Sequence, residues 1–306
     1  MPELSRADKS RVLKHEIKMK IACFVEAYNF NLKSERSSLN KFKSTAESMG
    51  HAFEFIYKDD ISKIPDYDAL FIRATTDPSS SAYIVSRLAE QSGLKVIDDP
   101  HSIRTCSNKA ILHDLFQKNN IPSPKSILFH GDYSRETLDK IFKTLGLPVI
   151  IKTPYTRFSS HVEKARDETE FIEVSKHLLM KAKVLVLQEY IQSDFDWRVG
   201  VLRNEVLYLC KYCMPKGGWK VKSKIDGKNI WGDTIAVSRD SISPELKDLS
   251  IKLSKCVGNG LYGLDVKETN DGYKVIEIND NPSIYDGYED TVDEDIYEKI
   301  IGALVS

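Results

Sequence analysis

Apolar and polar positions follow two rhythms in the first hundred residues. Lys20-Ile21-Ala22-Cys23-Phe24-Val25 is a short apolar run of the kind a buried strand carries, and Leu39 to Met49 repeat at helical spacing until Gly50. His51 to Tyr57 alternate, which predicts a strand and completes a β-α-β unit. A further strand over Asp68–Arg73 runs into Ala74-Thr75-Thr76, a helix follows from about Ser81 to Gln91, and Lys95–Asp98 reads as one more strand. This alternation predicts a small, open, mainly parallel sheet of the α/β class. Ligands of such sheets bind beyond the carboxyl ends of the strands, so Arg73 to Thr76 form a candidate substrate edge.

Asp98-Asp99-Pro100 breaks the pattern and places a domain boundary. Beyond it, a helix from about Ser107 to Asn119 leads through Ile121-Pro122-Ser123-Pro124 into a strand at Ser126–Phe129. Helices and strands then come in small packets, as in an α+β fold: strands at Pro148–Lys152 and Val184–Tyr190, with a helix from Glu168 to Met180 between them. Asp196–Leu202 and Val206–Tyr212 alternate around Arg203-Asn204-Glu205, the pattern of an antiparallel hairpin. Ser243-Pro244 opens a helix whose apolar face is Leu246, Leu249, Leu253 and Val257.

Composition narrows the class. The 306 residues suggest two domains at about 150 residues each. Forty-four basic against forty-five acidic side chains leave a net charge of -1, which gives the whole molecule no electrostatic case for nucleic acid. No stretch approaches the roughly 20 apolar residues of a membrane span, and the charged first twenty residues lack a signal-peptide core, so a cytoplasmic location is expected. The five scattered cysteines read as reduced thiols, Cys210 and Cys213 as two buried strand thiols on opposite faces.

Gly258-Asn259-Gly260-Leu261-Tyr262-Gly263 spells a dinucleotide fingerprint but leaves a helix and enters a strand, the reverse of the order that fingerprint needs, so its glycines close a helix. P-loop, zinc-hydrolase and serine-nucleophile motifs are absent from the sequence. The stretch that carries chemistry is Gly263-Leu264-Asp265-Val266, a turn near Asp271, and Val275-Ile276-Glu277-Ile278-Asn279-Asp280-Asn281-Pro282. A three-residue loop centred on Asp271 would set Asp265 opposite Glu277, and Asn279 shares the face of Glu277. A one-residue slip would separate the carboxylates; in register, two carboxylates and a carboxamide converge, an oxygen set suited to Mg²⁺ on a nucleotide. The same pattern also fits solvent-facing residues of an edge hairpin.

This stretch resembles the metal-binding signature of the ATP-grasp superfamily, and within it the RimK and glutathione-synthetase-like carboxylate-amine ligases. The resemblance implies an ATP-grasp domain over residues 101–306, with a lid at about 122–188, preceded by a small substrate-side domain over 1–100. It implies that Asp265, Glu277 and Asn279 hold Mg²⁺ or Mn²⁺ on ATP, and that Lys109 and Lys152 hold phosphates. It further implies that Gln188, Glu189, Tyr190 and Ile191 meet adenine, that Asp196 lies near the ribose, and that Arg198 faces the γ-phosphate with Lys211 assisting. One departure stands out: the loop after Lys152 has no glycine, so a phosphate cradle there would rest on Ser159 and Ser160, with Arg157.

The activity so implied joins a small-molecule or peptide carboxylate to an amine through an acyl phosphate. A small-molecule kinase, or a nucleotide-binding regulator without turnover, would use the same landmarks. No nucleic-acid or membrane partner is expected, and a homo-oligomer is compatible with the sequence. Lys220, Lys222 and Lys224 would line one strand face beside the phosphate site, either solvated or receiving an acidic substrate. Asp286, Glu289, Asp290, Asp293, Glu294 and Asp295 read as solvated turn and helix surface.

Overall fold

The computed structural model describes residues 19–155, 161–225 and 227–306. The first strands and helices are β1 (Lys20–Phe24), α1 (Lys33–Ser48), β2 (Ala52–Ile56), β3 (Ala69–Ile72), α2 (Ser81–Gln91) and β4 (Lys95–Ile97). They form a parallel sheet in the order β2-β1-β3-β4, as the alternating pattern predicts.

The break at Asp98-Asp99-Pro100 is a helix start. Asp99 accepts hydrogen bonds from the backbone of His101 (2.9 Å) and Ser102 (3.0 Å), and Pro100 opens α3 (Pro100–Cys106). The helix expected from Ser107 is α4 (Lys109–Lys118), capped by Asn108. An Asp-Pro pair and an Asn are helix-start signals, so α4 stands close to where the pattern places it and α3 precedes it as a short helix that the pattern does not give.

Strands β5 (Ser126–Phe129), β6 (Val149–Lys152), β7 (Val162–Ala165) and β8 (Leu185–Glu189), with α5 (Arg135–Leu145) and α6 (Glu168–Leu179), make an antiparallel layer ordered β5-β8-β6-β7. It has its own core of Phe129, Leu138, Ile141, Ile151, Phe171 and Leu187.

The largest sheet is built from β9 (Phe195–Leu202), β10 (Glu205–Cys213), β13 (Thr234–Val237), β14 (Leu261–Thr269) and β15 (Gly272–Asp280), ordered β13-β10-β9-β14-β15. A separate ribbon of β11 (Lys222–Ile225) and β12 (Lys228–Trp231) interrupts it. Helix α7 (Pro244–Val257), capped by Ser243, packs its predicted apolar face on this sheet, and α8 (Ile296–Val305) closes the chain. One apolar cluster joins Ile21, Phe42 and Phe71 to Tyr208, Ile284 and Ile300, so the first sheet and the C-terminal part share a core.

Of the acidic segment after β15, Glu294 is exposed as expected, but the other five carboxylates are not plain solvated surface. Glu289 is 3% exposed; it accepts from the Tyr212 hydroxyl and from the backbone of Tyr285. Asp290 accepts from Lys41 on α1 (2.8 Å) and from Tyr297 (2.9 Å), Asp286 pairs with the same lysine, and Asp293 and Asp295 pair with Arg239. Buried carboxylates persist only with such partners, and here the partners tie α1 to the C-terminal segment. Cys210 is buried as expected, whereas Cys213, at the end of β10, is only partly covered.

Candidate functional site

Three layers meet around a cavity of about 710 Å³. Its floor is the β9-β14-β15 face, its roof comes from β6 and β8, and one end opens on the carboxyl edge of β3.

The β14–β15 hairpin sets the floor. Asp265 lies directly opposite Glu277, as the sequence pattern predicts, but the cause differs. The turn is two residues, Asn270-Asp271, between paired Thr269 and Gly272, and unbroken pairing from there would put Ile276 opposite Asp265. A bulge at Ile276 shifts the register by one, and both Ile276 and Glu277 then line the cavity. Asn279 donates to Asp265 Oδ2 (3.2 Å). The three oxygen-bearing side chains therefore share one face.

Cations oppose them. Lys109 Nζ bonds Glu277 Oε1 at 2.8 Å and is 9% exposed, so it is no solvated helix lysine. Arg198 forks onto Asp265, with Nε to Oδ1 at 2.8 Å and Nη2 to Oδ2 at 3.3 Å, and its other side rests on the Tyr212 ring at 4.7 Å. Gly263 allows this: a Cβ there would sit 2.7 Å from Arg198 Nη1 and from Pro282 Cβ. Burial raises the Asp265 pKa to about 6; Arg198 works against that shift and neighbouring Glu277 adds to it.

Lys152 ends β6, 7% exposed, and donates to Gln188 Oε1 at 2.7 Å; Gln188 is itself oriented by Ser126 (3.1 Å). Burial pushes the Lys152 pKa down to about 8. Glu189 accepts from the Lys125 backbone (3.0 Å) and faces Lys274 at 3.4 Å. Tyr190 stands edge-on to Trp219 at 6.3 Å under the Lys164 ammonium. Gln188, Glu189, Tyr190, Ile191, Asp196 and Lys152 all line the cavity. Ser159, Ser160 and Arg157 lie outside the described residues.

The structure does not bring Lys211 to the cavity. It stands opposite Trp197 on the other face of the β9–β10 hairpin, its ammonium 4.5 Å from the Phe195 ring and 5.0 Å from the Trp197 ring. A two-residue turn at Arg203-Asn204, both at positive φ, would have paired Lys211 with Asp196 on the cavity side. A bulge at Leu207 moves the register by one and presents Tyr212 there instead. The bulge seats the Tyr208 ring over Gly200, where a Cβ would lie 2.2 Å from it.

The sequence reading missed Lys267, which lines the cavity and pairs with Asp196. Its place two residues after Asp265 on the same strand was the available signal. Of the lysine run, Lys220 and Lys222 line the cavity and Lys224 does not.

The chain matches the RimK-like ATP-grasp domain over residues 106–304, about two thirds of its length. It belongs to that family. Alpha-aminoadipate–LysW ligase LysX of Sulfurisphaera tokodaii is 26% identical over 266 residues, covering 81% of this chain and 86% of the relative. N-acetylaspartylglutamate synthase A of Homo sapiens is 24% identical over 237 residues, covering 76% and 58% respectively. Among solved structures, D-cycloserine synthetase DcsG superposes with a TM-score of 0.71 at 12% identity, covering 94% of this chain and 98% of that one. A RimK domain ATP-grasp protein from Sphaerobacter thermophilus gives 0.65 at 14%, covering 94% and 98%. These two likenesses carry the ATP-grasp fold, including the parallel sheet that precedes the RimK-like domain. No described helix of this RimK-like chain is long and apolar enough to cross a membrane.

Proposed function

We propose that this ATP-grasp ligase activates a substrate carboxylate with ATP and joins it to an amine. The observation that carries the reading is the shared face of Asp265, Glu277 and Asn279, with Lys109 and Arg198 on two of its three members. Carboxylates and a carboxamide set side by side fit Mg²⁺, and Mn²⁺ suits the same oxygen donors. When bound there, the ion neutralises charge on the phosphates.

In the first step a carboxylate oxygen attacks the γ-phosphorus, the bond to the β–γ bridging oxygen breaks, and ADP leaves with that electron pair. In the second the amine nitrogen attacks the acyl carbon, inorganic phosphate departs, and the nitrogen loses a proton to solvent. Lys109 and Lys152 hold phosphates, Gln188 to Ile191 hold adenine, and Asp196 holds the ribose side. Arg198 faces the transferring phosphoryl group, where fixed positive charge is worth most. Lys211 has no role in this scheme; Tyr212 supports Arg198 in its place. The substrates are small acids, amino acids or acidic peptides, in keeping with the names of the relatives.

Screening amino acids and acidic peptides by mass spectrometry for ATP-dependent addition tests the reading. The expected result is a condensed product, with ADP release that needs acid and amine together. ADP release to an alcohol, with no amine present, would overturn it.

The lowered Lys152 pKa adds a pH prediction. An ammonium binds phosphate only while protonated, and in the free protein Lys152 loses its proton as pH rises through about 8. Mg·ATP affinity is therefore expected to fall above that pH, by up to about tenfold per unit, because binding takes up a proton. Calorimetric titration from pH 7 to 9.5 checks this, with Lys152→Met weaker and flat. A flat wild-type profile would remove Lys152 from the phosphate site.

A further inference from the structure

The parallel sheet changes direction between β1 and β3: the connection from β1 leads out to β2 on one side, and that from β3 leads to β4 on the other. The crevice at such a point, beyond the carboxyl ends of the two strands, is where open α/β sheets bind ligands. Arg73 stands there as the first residue after β3, and it lines the cavity. It is 7% exposed. Among the described residues its guanidinium has one acceptor, the Pro282 carbonyl at 3.0 Å from Nη1, and it lies 5.5 Å from the Phe71 ring. Among the described residues it forms no salt bridge; Glu35 and Asp98 act on it only through space.

A guanidinium offers five donors in a fixed fork that matches a carboxylate, and a buried cation without a counter-charge is costly. Three other buried cations of this cavity have a carboxylate partner inside the protein, Lys109 on Glu277, Arg198 on Asp265 and Lys267 on Asp196, whereas Lys152 and Arg73 each have only a neutral oxygen acceptor there. Among the described residues Arg73 commits one of its five donors, to Pro282, and the rest of the fork faces the cavity. The distance is suitable for a small molecule. Asn279 and Pro282 are three residues apart, at most roughly 10 Å of chain, and these two residues mark the reacting end and the Arg73 end.

We propose that Arg73 binds a spectator carboxylate of the substrate, one that the ligase neither activates nor consumes. The proposal rests on the ligase reading above. The carboxylate has two sources, the second acid group of a dicarboxylate being activated or the free carboxylate of an amino acid serving as the amine.

The test is calorimetric titration of the full chain loaded with Mg²⁺ and a non-hydrolysable ATP analogue. One probe pair is glutarate against its monoamide, the other L-alanine against L-alaninamide. In one pair the wild type is expected to prefer the extra carboxylate at least tenfold, and that pair identifies the source. Arg73→Gln should bring the two members level, Arg73→Lys should keep part of the preference, and analogue affinity should stay within twofold in both variants. No preference in either pair, or a preference that persists in Arg73→Gln, overturns the assignment. If Arg73→Gln does not fold, Arg73→Lys decides: an undiminished preference overturns it. Absence of nucleotide binding in the wild type would instead bring down the ligase reading, and this assignment with it.

Discussion

Replacing Glu277 with Gln is expected to lower substrate-dependent ADP release at least a thousandfold, about 4 kcal/mol of transition-state stabilisation. The change keeps shape and removes one charge. Glu277 faces Asp265 across the hairpin and holds Lys109 at 2.8 Å, so it connects the oxygen face to a phosphate-binding cation. Its loss weakens the hold on the metal ion and leaves Lys109, almost fully buried, without its carboxylate. A role confined to the ion pair predicts a different result, a lower melting temperature with turnover nearly intact. Coupled ADP assays beside thermal melts separate the two. Turnover within tenfold of wild type would exclude Glu277 from the metal site.

Arg198→Met is expected to lower kcat by about a thousandfold while Mg·ATP affinity stays within about fivefold, because its charge is aimed at the transferring group rather than at bound ground-state phosphate. A second effect follows from its neighbour. Burial already raises the Asp265 carboxyl to about 6, and Arg198 is the main influence holding it down. Without the guanidinium that pKa climbs further. Asp265 must be ionised to hold a metal ion, so the acid limb of the residual activity moves to higher pH. Arg198→Lys should not restore the rate, since an ammonium cannot reproduce the two-point contact on Asp265. An unshifted acid limb in Arg198→Met would mean that this pair does not govern the state of Asp265.

Much of the fold was legible because it depends on local pattern. The parallel β-α-β start, β5, β6 and β8 of the second layer (β7 was not read), the Ser243-Pro244 helix and the two hairpins follow from periodicity and punctuation, and α7 ends at Gly258 before a strand as read. The acidic segment after Pro282, Glu294 apart, was misread for the opposite reason. Nothing local distinguishes a solvated carboxylate from one whose partners lie on α1 or at Arg239, because these contacts join residues far apart in the chain.

The candidate site divides along the same line. The kinds of residue were determined by sequence alone: an oxygen-rich hairpin, a lysine closing an apolar strand, a cationic and acidic pair on β9, and a family resemblance that their order carried. Which of them meet was decided by two bulges. At Ile276 one extra residue brings Glu277 rather than its neighbour opposite Asp265, and at Leu207 another turns Lys211 away and brings Tyr212 in. A strand reverses its faces with every residue, so register is a property of how sheets pack and not of composition. Leu207 is buried in the core shared by the first sheet and the C-terminal part, the Tyr208 ring fills the space over Gly200, and Ile276 lines the cavity. Those neighbours exist only once the layers have assembled.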